Sequence, residues 1–185
     1  MNKGLECATG DYIYFLNAGD YLCNDNVLKN VIEGFSVNSE SDMIYGDYIY
    51  YDDNGEQRCS GYRDGIPDFL RRGYCHQTLF AKKSIFIKCG NFNTDYKIYA
   101  DFDWLLRALI GFRKKISYID IPIANYLKGG ESESHGSKYN YERTEIIQKN
   151  AGYQELLLFF ISYPFSFSIY MLRLFREKIK ILISE

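Results

Sequence analysis

Apolar and polar positions alternate along the chain in two different rhythms. Tyr12-Ile13-Tyr14-Phe15-Leu16 is an unbroken aromatic and aliphatic run closed by the polar turn Asn17-Ala18-Gly19-Asp20. A short run bounded in this way predicts a strand buried on both faces. Met43 to Tyr45, Tyr48 to Tyr51, Gln77 to Phe80 and Lys115 to Ile119 read the same way, the last interrupted around Pro122. Asp53-Asn54-Gly55 is a turn signal leading into Glu56 to Ser60. Between these runs the spacing becomes helical. Val27, Leu28, Val31, Ile32 and Phe35 follow Asn24 or Asp25, either of which can cap a helix. Residues 2 to 9 read as the end of a helix closed by Thr9-Gly10. Pro67 suits the first turn of a helix ending near Gly73, and Lys82 to Ile87 forms a short one. Asp101 opens a helix from Phe102 to Ile110 that stops at Gly111, and Tyr139 to Gln148 is a charged helix. Strands alternating with helices predict an α/β domain with a mostly parallel sheet.

Two stretches break the pattern. Lys128 to Lys138 is polar and glycine-rich, hence a loop. Leu156 to Phe175 is nearly all apolar, with Ser162, Pro164, Ser166, Ser168 and Arg173 as exceptions, and Arg176, Lys178 and Lys180 follow. Its length approaches the roughly 20 residues of a membrane span, although Pro164 and the serines weaken that reading. A basic, apolar end also suits a helix lying on an anionic membrane surface, or a helix pair covering the core or a dimer contact. The expected organisation is a domain over residues 1–150 and a helical tail over 151–185.

Composition changes the picture in three places. The chain has 185 residues and a formal charge of −2, which excludes a broadly basic nucleic-acid binder. The cysteines, 5 in number, include no Cys-x-x-Cys pair and are accompanied by only 2 histidines, so free thiols in a reducing cytoplasm are expected. Tyrosine is abundant, at 18 residues, and its face can stack on a sugar ring while its hydroxyl hydrogen-bonds.

The candidate chemistry lies at the ends of the predicted strands, where ligands of open α/β sheets bind. Asp20 can hold a divalent cation, with Asn17 as a weaker oxygen ligand, although Asn-Ala-Gly-Asp would also close a strand as a plain Asx turn. His76 and Gln77 precede a strand. Asp101 stands at a helix N-terminus, where backbone N–H groups favour a carboxylate, and Asp103 lies in the first turn. Lys128, Gly129 and Gly130 open the polar loop.

Taken in order, these pieces resemble the inverting, family-two glycosyltransferases. Tyr12 to Asp20 resembles their Asp-x-Asp metal turn, with Asn17 at the first acidic position. Cys75-His76-Gln77-Thr78 resembles their His-Gln strand. Tyr99-Ala100-Asp101-Phe102-Asp103 resembles their second acidic motif, with Ala100 where a Glu is usual, and Lys128-Gly129-Gly130-Glu131-Ser132 resembles a Gly-Gly-x-Ser loop. The resemblance implies a partial GT-A fold, Rossmann-like and flanked by helices. It implies Mg²⁺ or Mn²⁺ at Asp20 and Asn17, Asp101 as the catalytic base, and substrate contacts from His76, Gln77, Asp103, Lys128, Gly129 and Gly130. Its implied partners are a nucleotide-sugar donor, a UDP-sugar first among them, and a glycan or lipid-linked acceptor of surface polysaccharide assembly. The expected setting is the cytoplasm, with the C-terminal tail as a candidate peripheral contact with the inner face of the plasma membrane. Nothing in the chain matches the family's N-terminal nucleotide-binding strands, so a C-terminal part of such an enzyme is expected, poorly active alone. The rival expectations are a non-catalytic split subunit and a nucleotidyltransferase, and the His-Gln and Gly-Gly elements speak against the latter.

Overall fold

The computed structural model describes residues 1–52, 55–61, 65–73, 75–127, 129, 136–162 and 179. Among the described residues, six strands and seven α-helices form three layers. In chain order they are α1 (Asn2–Cys7), β1 (Tyr12–Tyr14), β2 (Tyr21–Leu22), α2 (Val27–Val37), β3 (Met43–Asp52), β4 (Gly55–Cys59) and α3 (Gly65–Arg72). Then follow β5 (Leu79–Lys82), α4 (Lys83–Cys89), α5 (Ala100–Leu106), β6 (Ile116–Leu127), α6 (Asn140–Asn150) and α7 (Tyr153–Ser162).

The strand order is β1-β5-β3-β6-β2, with β4 paired to the second half of β3. The α/β class is as expected, but strand direction is more mixed than a mostly parallel sheet. β3 and β6 run parallel, whereas β1–β5, β5–β3, β3–β4 and β2–β6 are antiparallel. A reason lies in the connections. β3 to β4 is a hairpin, and hairpins return antiparallel, whereas β3 reaches β6 through a long helical crossover, as parallel strands require.

Residues alternate across β3, so Ile44 faces one side and Met43 and Tyr45 the other. Ile44, Phe80 and Ile123 pack beneath Val27, Val31 and Phe35 of α2. Met43, Tyr45 and Ala81 face the larger core built from α3 to α7, in which Trp104 is 1% exposed and stacks on Phe86 at 4.2 Å.

Three boundaries differ from the sequence reading. His76–Thr78 is a tight helical turn, so the strand expected from Gln77 begins at Leu79. Thr78 fixes the turn, its hydroxyl and N–H both donating to the Cys75 carbonyl. β6 runs straight through Pro122. The ladder to β3 is irregular there, with register shifts between Tyr45 and Tyr48, so the missing proline N–H is accommodated. Gly46 makes this possible, because a Cβ at that position would lie 2.5 Å from the Ile121 carbonyl oxygen. The predicted helix 102–110 is α5 followed by a wider turn, Arg107–Gly111.

Within the C-terminal tail, α7 belongs to the core. Leu156 and Phe159 are buried in the cluster that includes Phe69 and Leu70 of α3. Among the described residues no helix is long and apolar enough to cross a membrane. The rest of the apolar and basic stretch, from residue 163, lies outside the described residues apart from Ile179.

Candidate active site

The strand β1 delivers the polar turn to the sheet edge. Asp20 N–H donates to the Asn17 carbonyl at 3.2 Å, and Gly19 takes a φ of 95° that a side chain would resist. Facing this turn is His76–Thr78, and beside it the N-terminus of α5. The three meet through a chain of hydrogen bonds. Gln77 Nε2 donates to Asp20 Oδ2 at 2.8 Å, and Leu127 N–H at the end of β6 donates to Asp20 Oδ1 at 3.1 Å. His76 Nε2 lies 3.2 Å from Asn17 Oδ1, and His76 Nδ1 lies 3.1 Å from Asp101 Oδ2. The other Asp101 oxygen accepts from Phe102 N–H at 2.8 Å.

These contacts bring Asn17, Asp20, His76, Gln77 and Asp101 into one network from segments far apart in the chain. His76 is its joint, since a neutral ring can donate to only one of its two oxygen neighbours. Gln77 is 2% exposed and fully committed. Its Oε1 accepts from the Cys75 thiol at 3.2 Å, and its carbonyl accepts from Tyr14 O–H at 2.8 Å. Burial raises the Tyr14 phenol well above its ordinary value and pushes the Cys75 thiol up to about 12, so both stay protonated donors at neutral pH.

Asp103 does not join the network. It is 1% exposed beneath α5, where Arg107 Nε donates to it at 2.9 Å and Asn150 Nδ2 at 3.4 Å. Arg107 extends to the Asn91 carbonyl at 2.8 Å and to that of Cys89, so Asp103 ties α5 to α4 and α6 rather than touching a substrate. Its position one turn into the helix turns it away from Asp101. Gly129 is exposed with a φ of 106°, while Lys128 and Gly130 lie outside the described residues.

A cleft of about 650 Å³ opens on one side of this network. His76, Gln77 and Asp101 line it, together with Tyr48, Tyr50 and Tyr126, whereas Asn17 and Asp20 do not. Tyr50 and Tyr126 stack at 5.8 Å and present an aromatic wall of the kind that receives sugar rings. The acidic turn therefore connects to the cleft through the His76-Gln77 pair.

The buried Glu142 of α6 was not evident from sequence. It is 1% exposed and accepts from the N–H groups of Lys97, Ile98 and Tyr99 at 2.8, 3.1 and 3.2 Å, fixing the loop that leads to Asp101. Nothing local distinguishes it from its solvated neighbours on a charged helix, because its partners lie more than 40 residues away.

For a cation, the donor set is one carboxylate and one amide oxygen. Among the described residues no group of three or more His, Cys, Asp or Glu side chains is arranged to hold a metal. A single carboxylate oxygen still fits Mg²⁺ or Mn²⁺, which retain waters and take further oxygens from phosphates.

Comparison with known proteins bears on what this network belongs to. No family model matches the chain. A PGL/p-HBAD biosynthesis glycosyltransferase of Mycobacterium bovis is 31% identical over 130 residues, 70% of this chain and 50% of that protein. An uncharacterized glycosyltransferase of Mycobacterium tuberculosis is 29% identical over 119 residues, 60% of this chain and 43% of that protein. This chain is related to glycosyltransferases. It spans about half the length of these relatives. The fold matches S. aureus TarS residues 1–349, solved with UDP, at a TM-score of 0.60 and 16% identity, covering 90% of this chain and 51% of that one. The same protein with UDP-GlcNAc matches equally, at 0.60 and 17% identity over 84% of this chain and 45% of that one.

Proposed function

We propose that this chain carries the catalytic and acceptor-side part of a glycosyltransferase that moves a sugar, with inversion, from a nucleotide-diphosphate sugar to an acceptor hydroxyl in surface glycan assembly. The observation that carries this reading is the His76-Gln77 pair, bonded on one side to the acidic turn and on the other to Asp101 in the cleft. The kinship to glycosyltransferases and the nucleotide-bound structures sharing this fold support a UDP-sugar as donor.

In this reading the acceptor lies in the cleft, a sugar ring against Tyr50 and Tyr126. Asp101 takes the proton of the acceptor hydroxyl. The freed oxygen bonds to the anomeric carbon from the face opposite the diphosphate, and the carbon–oxygen bond to the diphosphate breaks with its electron pair leaving on that group. His76 holds Asp101 in place, and the Phe102 N–H stabilises its charge. Asp20 would hold Mg²⁺ or Mn²⁺, whose charge would offset that of the departing diphosphate. Asn17, turned toward His76, serves mainly to orient the imidazole. The tail beyond Ser162 is the candidate contact with an anionic membrane surface.

The test is Asp101→Asn in the protein that carries this chain, measured by nucleotide release from UDP-sugars with glycan acceptors. Turnover should fall by about 10²–10⁴-fold while UDP affinity is kept. Turnover at the wild-type rate would remove Asp101 from the base role.

A further inference from the structure

Among the described residues the arginine, histidine and acidic side chains that line the cleft are Arg58, His76, Asp101 and Arg143. Three of them are matched. Arg58 pairs with Asp47 and Asp120, each at 2.7 Å, and its pKa is raised by the Asp47 hydrogen bond first. His76 and Asp101 face each other.

Arg143 is different. It stands in the first turn of α6, and its Nη2 donates to the carbonyls of Leu70 and Arg71 at 2.5 and 2.8 Å. Its guanidinium carbon lies 5.5 Å from the centroid of the Phe102 ring. Neither a carbonyl nor an aromatic face cancels a full positive charge, and no described carboxylate pairs with it. Its Nε–H is enclosed and has no acceptor among the described residues. Burial lowers its pKa, opposed only by the nearby Tyr99 phenol.

A half-buried guanidinium whose Nη2 already serves two carbonyls attracts an oxyanion mainly through its uncancelled charge. Phe102 connects it to the base, because its N–H donates to Asp101 while its ring lies under Arg143. The anion would therefore sit close to the hydroxyl that reacts. We infer that Arg143 selects acceptors bearing a phosphate or a carboxylate near the reacting hydroxyl. The inference rests on the acceptor reading of the cleft. The donor diphosphate is the other source of a phosphate, but the Asp20 turn that would serve it does not line this cleft.

The test uses the whole chain and matched probes: glycerol 3-phosphate against glycerol, methyl glucuronide against methyl glucoside, and UDP alone. Binding is read by calorimetry and by the Nε–H resonance of Arg143 in ¹⁵N spectra. Each anion should bind roughly tenfold more tightly than its neutral partner and shift that resonance. Arg143→Gln should erase the ratio, and Arg143→Lys, which keeps the charge, should retain most of it. The pair with the larger ratio identifies the acceptor as phosphorylated or uronate-like. The resonance shift in the unaltered chain needs no variant to fold. Equal binding within both pairs overturns the inference and leaves the cleft an acceptor site. A ratio unchanged in Arg143→Gln also overturns it, as does a shift produced by UDP alone. Failure of every saccharide to bind removes the acceptor reading itself.

Discussion

Cys75 shows how single atoms hold the network together. Its thiol donates to Gln77 Oε1, which forces the amide to present Nε2 to Asp20. The bond depends on the thiol staying protonated, and burial ensures this by pushing its pKa up to about 12. Two consequences can be measured together. At pH 8–9 iodoacetamide should modify the exposed Cys7 and leave Cys75 intact in the folded chain, because the thiolate is the reactive form. Since the folded pKa lies above the unfolded one, the native state holds its proton longer. The contribution of this thiol to stability is therefore complete below about pH 8.5 and lost as pH rises toward 12. Cys75→Ser, with its higher-pKa hydroxyl, should remove that alkaline decline in urea titrations. Rapid alkylation of Cys75 in the native chain would contradict the enclosure. The His-Gln pair was legible as a motif, whereas the thiol that orients it was not, because Cys75 carries no local pattern of its own.

At the scale of elements, the loop before α5 determines where Asp101 stands. Residues 97–99 have no ladder or helix to bond with, and Glu142 of α6 supplies acceptors for all three of their N–H groups. Glu142→Gln replaces one of those oxygens by an amide NH2, a donor that cannot accept from the same N–H groups. The expected cost is about 1.5–3 kcal/mol in urea unfolding, together with a drop in the turnover assigned to Asp101. A variant as stable and as active as the parent would show that the loop holds itself. Element type was largely readable from periodicity, as with α2 and β3. The failures have physical causes. Pro122 reads as a strand breaker, yet the irregular register opposite Gly46 leaves its position without a ladder bond to lose. Gln77 reads as strand, yet the Thr78 hydroxyl closes a turn there. The acidic pair Asp101 and Asp103 reads as one motif, while helical geometry sends one carboxylate to the cleft and the other to Arg107.

For the whole molecule, the question is which parts form the body that holds the site. The sheet has helices on both faces, and the larger face is completed by α3 and α7 together. An apolar C-terminal helix could equally lie on a membrane, and sequence offers no means of choosing, since burial against protein and burial in lipid select the same side chains. The packing of α7 makes the choice for residues 153–162. Leu156 is 0% exposed and Phe159 4%, whereas Leu158 and Ile161 are 53% and 68% exposed on the opposite face. Leu156→Ala should then cost about 2–5 kcal/mol, seen as a fall in Tm of the chain without any lipid present. Leu158→Ala should stay within about 0.5 kcal/mol of the parent. Under the proposed contact with an anionic membrane surface, Leu158→Ala should weaken binding to anionic vesicles. The reverse pattern, with Leu156→Ala neutral in solution and Leu158→Ala destabilising, would mean that α7 docks through its other face and that the core closes without it.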